Sequence, residues 1–265
     1  VSTLMTIPFT YSLAVVGGKP PTLLHTEGNT AQQFPLASVT KLLTAWSVLV
    51  ALDRGYATLR DPAGPEGSTI RHLLAHASGV PFERGAILAQ PGERRIYSNI
   101  GIEILGKKIE ECVGMPIQEW IHQCVLEPLG MRTTRIEGSV AHSGVSTIGD
   151  LLLFAKELLT PTLVSPLGAH AARTVQFPGL SGILPGYGRQ KPNDWSLGFE
   201  IRGEKSPHWL GSDFSTRSFG HFGQSGSFCW VDPSVGRAGV FLGELPFGDL
   251  HRQIWPQLTN LMRSL

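Results

Sequence analysis

Cysteine is scarce in this chain: Cys112, Cys124 and Cys229 are odd in number and show no C-x-x-C spacing. Neither a disulfide framework nor a zinc site is indicated, and free, mostly buried thiols are expected. Charge is also sparse. Only 16% of the residues are charged, 22 basic against 21 acidic, and neither sign is clustered. A formal charge of +1 without a basic patch argues against nucleic acid or an anionic membrane surface as partner. No apolar stretch is long enough to span a bilayer. Val1 to Tyr11 lacks the basic and apolar regions of a signal peptide, so the expected location is cytoplasmic as the chain stands, or periplasmic or secreted if a leader was removed before Val1. Repeats and low-complexity tracts are absent. So are G-x-S-x-G and the phosphate-binding G-x-x-x-x-G-K, which disfavours nucleophile-elbow hydrolases and P-loop enzymes. His72 and His76 stand four apart, but position 73 is Leu rather than Glu, so the H-E-x-x-H protease motif fails and structural histidines are expected.

What is present is a 265-residue chain, 42% hydrophobic, large enough for a substantial core. Ser12–Val16 and Thr22–His25, split by Gly17-Gly18-Lys19-Pro20-Pro21, read as a hairpin. From Ser38 to about Leu52 the chain is apolar nearly all round, the pattern of a helix buried on most sides. Helices are expected at Ile70 to His76, from Asn99 to Gly114, from Pro116 to about Leu126, and from Thr147, with Asp150 as capping partner, to Leu159. Trp195–Arg202, Ser227–Val231 and Ala238–Glu244 read as strands. Leu250, Ile254, Leu258, Leu261 and Leu265 mark a final amphipathic helix bent near Pro256. Strands first, helices in the middle, strands and a helix last predict an α+β fold. Residues 1–52 and 188–265 form the expected sheet domain and 53–187 an inserted, mainly helical one.

The chemistry is concentrated in three segments. Ser38-Val39-Thr40-Lys41 puts a hydroxyl and an amine three residues apart, on one face of a helix start. Leu42, Leu43, Ala45 and Trp46 would desolvate the lysine and lower its pKa towards that of a base, and the helix start would favour an oxyanion. The alternative is a Ser38 N-cap with a solvated lysine. Tyr97-Ser98-Asn99 supplies a phenol that, beside a cationic Lys41, would lose its proton more readily, and an amide able to bind substrate; the alternative is an aromatic followed by an Asn helix cap. Gly220-His221-Phe222-Gly223-Gln224-Ser225-Gly226 is glycine-rich and precedes a strand. Its glycines would let a substrate approach the backbone of an edge strand here, which would present a second oxyanion N–H from Gln224; the alternative is a glycine-rich turn before a strand.

Together, Ser38-x-x-Lys41, Tyr97-Ser98-Asn99 and His221-x-Gly223 resemble the serine β-lactamase-like family, in the branch of class C β-lactamases, D-alanyl-D-alanine carboxypeptidases, D-aminopeptidases and S-x-x-K esterases. Ile70–Gly79, Pro91-Gly92-Glu93, Glu127–Met131 and Val145-Ser146-Thr147 with Asp150 are similar as well. The resemblance implies an antiparallel sheet flanked by helices, a helical domain, and an active site in the cleft between them. It implies acyl transfer through a serine ester without metal or cofactor, on a small ester, amide or β-lactam. Ser38 would attack, Lys41 and Tyr97 would move protons, and Asn99, His221, Phe222, Gly223 and Gln224 would bind substrate, with Ser38 and Gln224 N–H groups holding the oxyanion. A non-catalytic or stalled penicillin-binding protein of the same fold is the alternative. Where the β-lactamases carry Lys-Thr-Gly, this chain has His221-Phe222-Gly223, which removes a hydroxyl that could bind a carboxylate. Short neutral esters are therefore expected to be preferred to β-lactams, with Ser225, Ser227 or Arg217 as the residues that would restore the carboxylate contact. The oligomeric state is not readable.

Overall fold

The computed structural model describes residues 3–265; Val1 and Ser2, where the leader reading and the first expected sheet segment begin, lie outside the described residues. The chain opens with the hairpin β1 (Tyr11–Gly17) and β2 (Thr22–Glu27), then β3 (Phe34–Pro35), a 3-10 turn at Ala37–Val39, and α1 (Thr40–Asp53). The middle carries α2 (Ile70–Leu74), α3 (Asn99–Val113), α4 (Ile117–Ile121), a π turn at His122–Leu126, α5 (Glu127–Leu129), β4 (Arg135–Ile136), β5 (Gly144–Ser146), α6 (Ile148–Leu159) and α7 (Pro166–Ala171). The last third holds the hairpin β6 (Gly182–Leu184) and β7 (Gly188–Gln190), then β8 (Glu200–Ile201), β9 (Phe219–Gly223), β10 (Ser227–Asp232), β11 (Arg237–Gly243) and α8 (Asp249–Ser264).

Six strands form one antiparallel sheet in the order β2-β1-β11-β10-β9-β8, so β1 pairs with β11 and joins the two ends of the chain, Tyr11 opposite Gly243. Alternation along the strands sorts side chains to two faces. Ala14, Val16, Cys229, Val231, Val240 and Leu242 join the core built with α1, α3 and α6, while Leu13, Val15, Phe228, Trp230 and Phe241 join a second core under Trp255, Leu258 and Met262 of α8. Because both faces are covered, β10 is buried along its whole length. α1 is buried from Thr40 to Ala51, as its all-round apolar pattern predicts. Its Trp46 meets Phe154 and Phe199 edge-on at 6.3 and 6.0 Å and donates to Glu157 at 3.1 Å. A buried indole so bonded contributes on the order of 2–3 kcal/mol and fixes the rotation of α1 about its axis. That rotation aims Lys41.

The structure departs from or sharpens the sequence reading in several places. Trp195–Arg202 is mostly a tight turn: Gly198 takes φ +93, Trp195 pairs back with Glu200, and only Glu200–Ile201 joins the sheet. The glycine-rich segment, read as an edge strand or a turn, is a strand from Phe219 to Gly223, paired with β10 along its full length and with β8 only opposite Phe219 and Gly220. α2 ends at Leu74, and His76 takes φ +52, so His72 and His76 do not share a helix. The short sheet β3-β5-β4, helix α7 and the hairpin β6–β7 have no counterpart in the sequence reading.

Candidate active site

Ser38 lies in the 3-10 turn just before α1, and no side chain caps either helix start. The N-cap reading therefore fails: the hydroxyl is 3.0 Å from Lys41 Nζ and 2.5 Å from the Tyr97 hydroxyl. The preceding residue, Ala37, sits at φ +44, a conformation unfavourable for a residue with a Cβ. Neighbouring bonds hold it there. Leu36 N–H donates to Gly144 O at 2.8 Å, while Ser225 and Ser227 hydroxyls donate to Pro35 O and Leu36 O, each at 2.8 Å.

Lys41 is 1% exposed, and its nitrogen donates to Asn99 Oδ1 at 2.6 Å and to the Ala141 carbonyl at 3.0 Å. Desolvation lowers its pKa to about 7. A neutral amine has two N–H bonds and one lone pair. Both carbonyls can only accept, so they take the N–H bonds and leave the lone pair for the Ser38 hydroxyl proton. Ala141 was not anticipated. Its carbonyl is placed by α1 itself, because Thr44 Oγ1 donates to Val140 O at 2.7 Å and Thr40 Oγ1 accepts from Gly144 N at 2.9 Å. Two threonines four apart were the available signal.

Tyr97 is enclosed by aromatic rings: His76 at 4.9 Å, His221 at 5.5 Å, Phe82 and Trp195 at 5.8 Å. Burial holds its phenol above the ordinary range, against a smaller opposing effect of the Ser38 hydrogen bond. The expectation of an easily ionised tyrosine is thereby corrected. At neutral pH Tyr97 is a proton donor and Lys41 is the available base. Tyr97 is followed by the true helix cap: Ser98 Oγ accepts from Gly101 N at 2.8 Å, and Asn99, the first helical residue, turns its amide to Lys41. Arg95, also unanticipated, is 1% exposed and spends its guanidinium on the carbonyls of Ala75, Gln176, Phe177 and Asn193. It ties together the segments carrying His76, Tyr97 and Trp195.

Both histidines beside Tyr97 are neutral, and their hydrogen bonds identify the tautomers. His221 Nδ1 donates to Phe222 O at 2.6 Å, which leaves Nε2 a bare acceptor, and burial pulls its pKa down to about 3. His76 Nδ1 accepts from Ser98 N at 3.1 Å, so its proton is on Nε2. Burial, then the charge of Lys41, holds His76 well below its ordinary value.

The opposite wall is the free end of β9. A Cβ on Gly223 would lie 2.5 Å from Leu36 O and 3.2 Å from Ala37 Cβ, so only glycine lets this strand reach the nucleophile turn. Gln224 follows Gly223, and with Ser38 it lines one cleft of about 1000 Å³ together with Tyr97, Asn99, His221 and Phe222. Phe222 is mainly a core residue. Only 4% exposed, it packs on Trp209, Phe247 and Trp255, so replacing it by threonine would open a cavity rather than simply restore a hydroxyl. Of the residues expected to restore a carboxylate contact, Ser225 and Ser227 are bonded to backbone carbonyls, and Arg217 is exposed away from the lining of the cleft.

Comparison with known proteins agrees with this geometry. The Beta-lactamase family profile matches residues 14–257. The crystal structure of a beta-lactamase from Mycobacterium bovis is 48% identical, with a TM-score of 0.95, over 97% of this chain and 95% of that one. A penicillin-binding protein of Bacillus subtilis (strain 168) is 30% identical over 136 residues, 39% of this chain and 30% of its own length. The D-alanyl-D-alanine-carboxypeptidase/endopeptidase AmpH of Escherichia coli (strain K12) is 26% identical over 136 residues, 37% of this chain and 35% of its own. The match thus spans about a third of each of these two curated relatives.

Proposed function

The chain belongs to the beta-lactamase family, and from that premise we propose that it is a serine hydrolase working through an acyl-Ser38 intermediate on a small ester, amide or β-lactam, with neutral esters preferred. The observation that carries the reading is Lys41, a buried amine within hydrogen-bond distance of Ser38 Oγ, Asn99 Oδ1 and Ala141 O, whose neutral form gives its two N–H bonds to the carbonyls and keeps its lone pair for Ser38. Ser38 Oγ attacks the carbonyl carbon as its proton passes to Lys41 Nζ. The N–H groups of Ser38 and Gln224 hold the oxyanion. Tyr97 gives its proton to the leaving group and recovers one from the lysine. Water then takes the place of the alcohol or amine, and the same groups run in reverse to release the acid. The preference for neutral substrates is supported by a neutral His221 where a cation would grip a carboxylate, and by the engaged hydroxyls of Ser225 and Ser227.

Two measurements test this. Turnover of a chromogenic ester should exceed that of a nitrocefin-type β-lactam in kcat/KM, and a fluorescent penicillin should label Ser38 slowly; labelling without turnover of any substrate would make the protein a stalled acyl acceptor instead. The pH profile tests the base. Protonated Lys41 has no lone pair, so kcat/KM for a neutral ester should rise with pH through a single ionisation at about 7 and level off above it. A profile flat from about pH 5 to 9 would remove Lys41 from that role.

A further inference from the structure

Three of the large apolar side chains left open to solvent, Phe82 (47% exposed), Leu88 (54%) and Ile183 (66%), line a single cavity, the cleft at Ser38. Their positions are built into the fold. In the hairpin β6–β7, Leu184 and Gln190 are buried, while the outward pair Ile183 and Arg189 faces solvent. A purely solvated face would carry polar residues at both places. The hairpin is fastened beside Tyr97: Arg95 N donates to Ser181 O at 3.0 Å, and Gly182 lies so close that a Cβ there would fall 2.1 Å from the Arg95 carbonyl. The facing loop is anchored as firmly. Phe82 stacks on Tyr97 and its carbonyl accepts from Asn99 N at 2.9 Å, while Leu88 N donates to Gly79 O at 2.9 Å.

The cavity, about 1000 Å³, is at the upper end of ligand pockets and far larger than a short acyl group needs. An exposed apolar surface of this kind gains by covering a flexible apolar substrate. We infer that the cleft takes esters carrying an aliphatic chain of medium length, laid between Phe82, Leu88 and Ile183. This rests on the reading of Ser38 as the acyl-forming nucleophile. The bonds made and broken are those of the proposed hydrolysis: the ester C–O bond opens, Ser38 Oγ–C forms, the alcohol leaves with a proton, and water releases the acid.

Two ester series, used below their critical micelle concentrations, test the inference and assign the side of the ester bond on which the chain lies. In one, p-nitrophenyl esters lengthen the acyl group from acetate to dodecanoate. In the other, acetates of lengthening alcohols vary the leaving group. In one series kcat/KM should climb roughly hundredfold over the first six added methylenes, about half in free energy of what full burial would give, because the residues that line the cleft stay partly open to solvent. Ile183→Ser or Leu88→Ser should cut the long-to-short ratio about tenfold, a ratio unaffected by how much of the variant is folded. Leu167→Ser, 79% exposed and not lining the cleft, should leave the ratio unchanged. Turnover that depends on Ser38 but is flat in both series would overturn the aliphatic site and keep the hydrolase. Absence of Ser38-dependent turnover with every ester would overturn the aliphatic-ester site, and absence with an amide and a nitrocefin-type β-lactam as well would overturn the hydrolase reading.

Discussion

Ser38→Ala is expected to lower kcat/KM for a chromogenic ester by about 10⁴-fold or more and to abolish covalent labelling by a fluorescent penicillin, with the thermal unfolding midpoint within a few degrees of wild type. The size follows from what is deleted. Among the described residues no other hydroxyl or thiol is hydrogen-bonded to both Lys41 and Tyr97, and a general base with no nucleophile accelerates only attack by water. The stability expectation follows from the contacts. The Ser38 hydroxyl caps no helix, its residue is half-buried, and Lys41 keeps both carbonyl acceptors when the hydroxyl is gone. What is lost is the 2.5 Å contact with Tyr97 and the 3.0 Å contact with Lys41, together a cost of about 1–3 kcal/mol. Relief of crowding at a functional site commonly offsets such a loss. Intact labelling of the variant would move the nucleophile elsewhere in the cleft.

The sequence exposes those parts of the site that obey a local period. Ser38 and Lys41 face each other because three residues are close to one helical turn, and the apolar neighbours that lower the lysine pKa lie within the same helix. β10 and β11 are readable for a similar reason, being compact runs of apolar and β-branched residues between turn signals. β9 is only half readable, because its two glycines fit a turn as well as an edge strand; in the structure they let the strand approach Cys229–Trp230 on one side and Leu36–Ala37 on the other. The charge state of Tyr97 is not readable from the sequence because it depends on enclosure by His76 and Phe82 of one loop and by Trp195 and His221 of two distant segments. The same holds for Ala141 and Arg95. A backbone carbonyl has no side-chain signature, and an arginine capped by carbonyls reads in sequence like any surface arginine.

Because Lys41 Nζ and the Tyr97 hydroxyl both reach the same oxygen, Lys41→Ala and Tyr97→Phe are expected to cost about 10³–10⁴-fold each in kcat/KM, and the double variant little more than the worse single one. One proton leaves Ser38 and one reaches the leaving group. With Lys41 absent, the serine proton has no acceptor, since burial keeps Tyr97 protonated through the neutral range and beyond. With the phenol absent, Lys41 still takes the serine proton, but the nearest donor to the departing alcohol is gone, and the tetrahedral intermediate returns to substrate. Either loss stalls the same transfer, so removing the second partner finds little left to remove. The cycle also separates roles by substrate. A p-nitrophenolate leaving group needs no proton, so Tyr97→Phe should cost less with that ester than with an alkyl ester, while the Lys41→Ala loss should be similar for both. Losses that multiply in the double variant, or a Tyr97→Phe defect equal on both esters, would show that the tyrosine acts on something other than the leaving group.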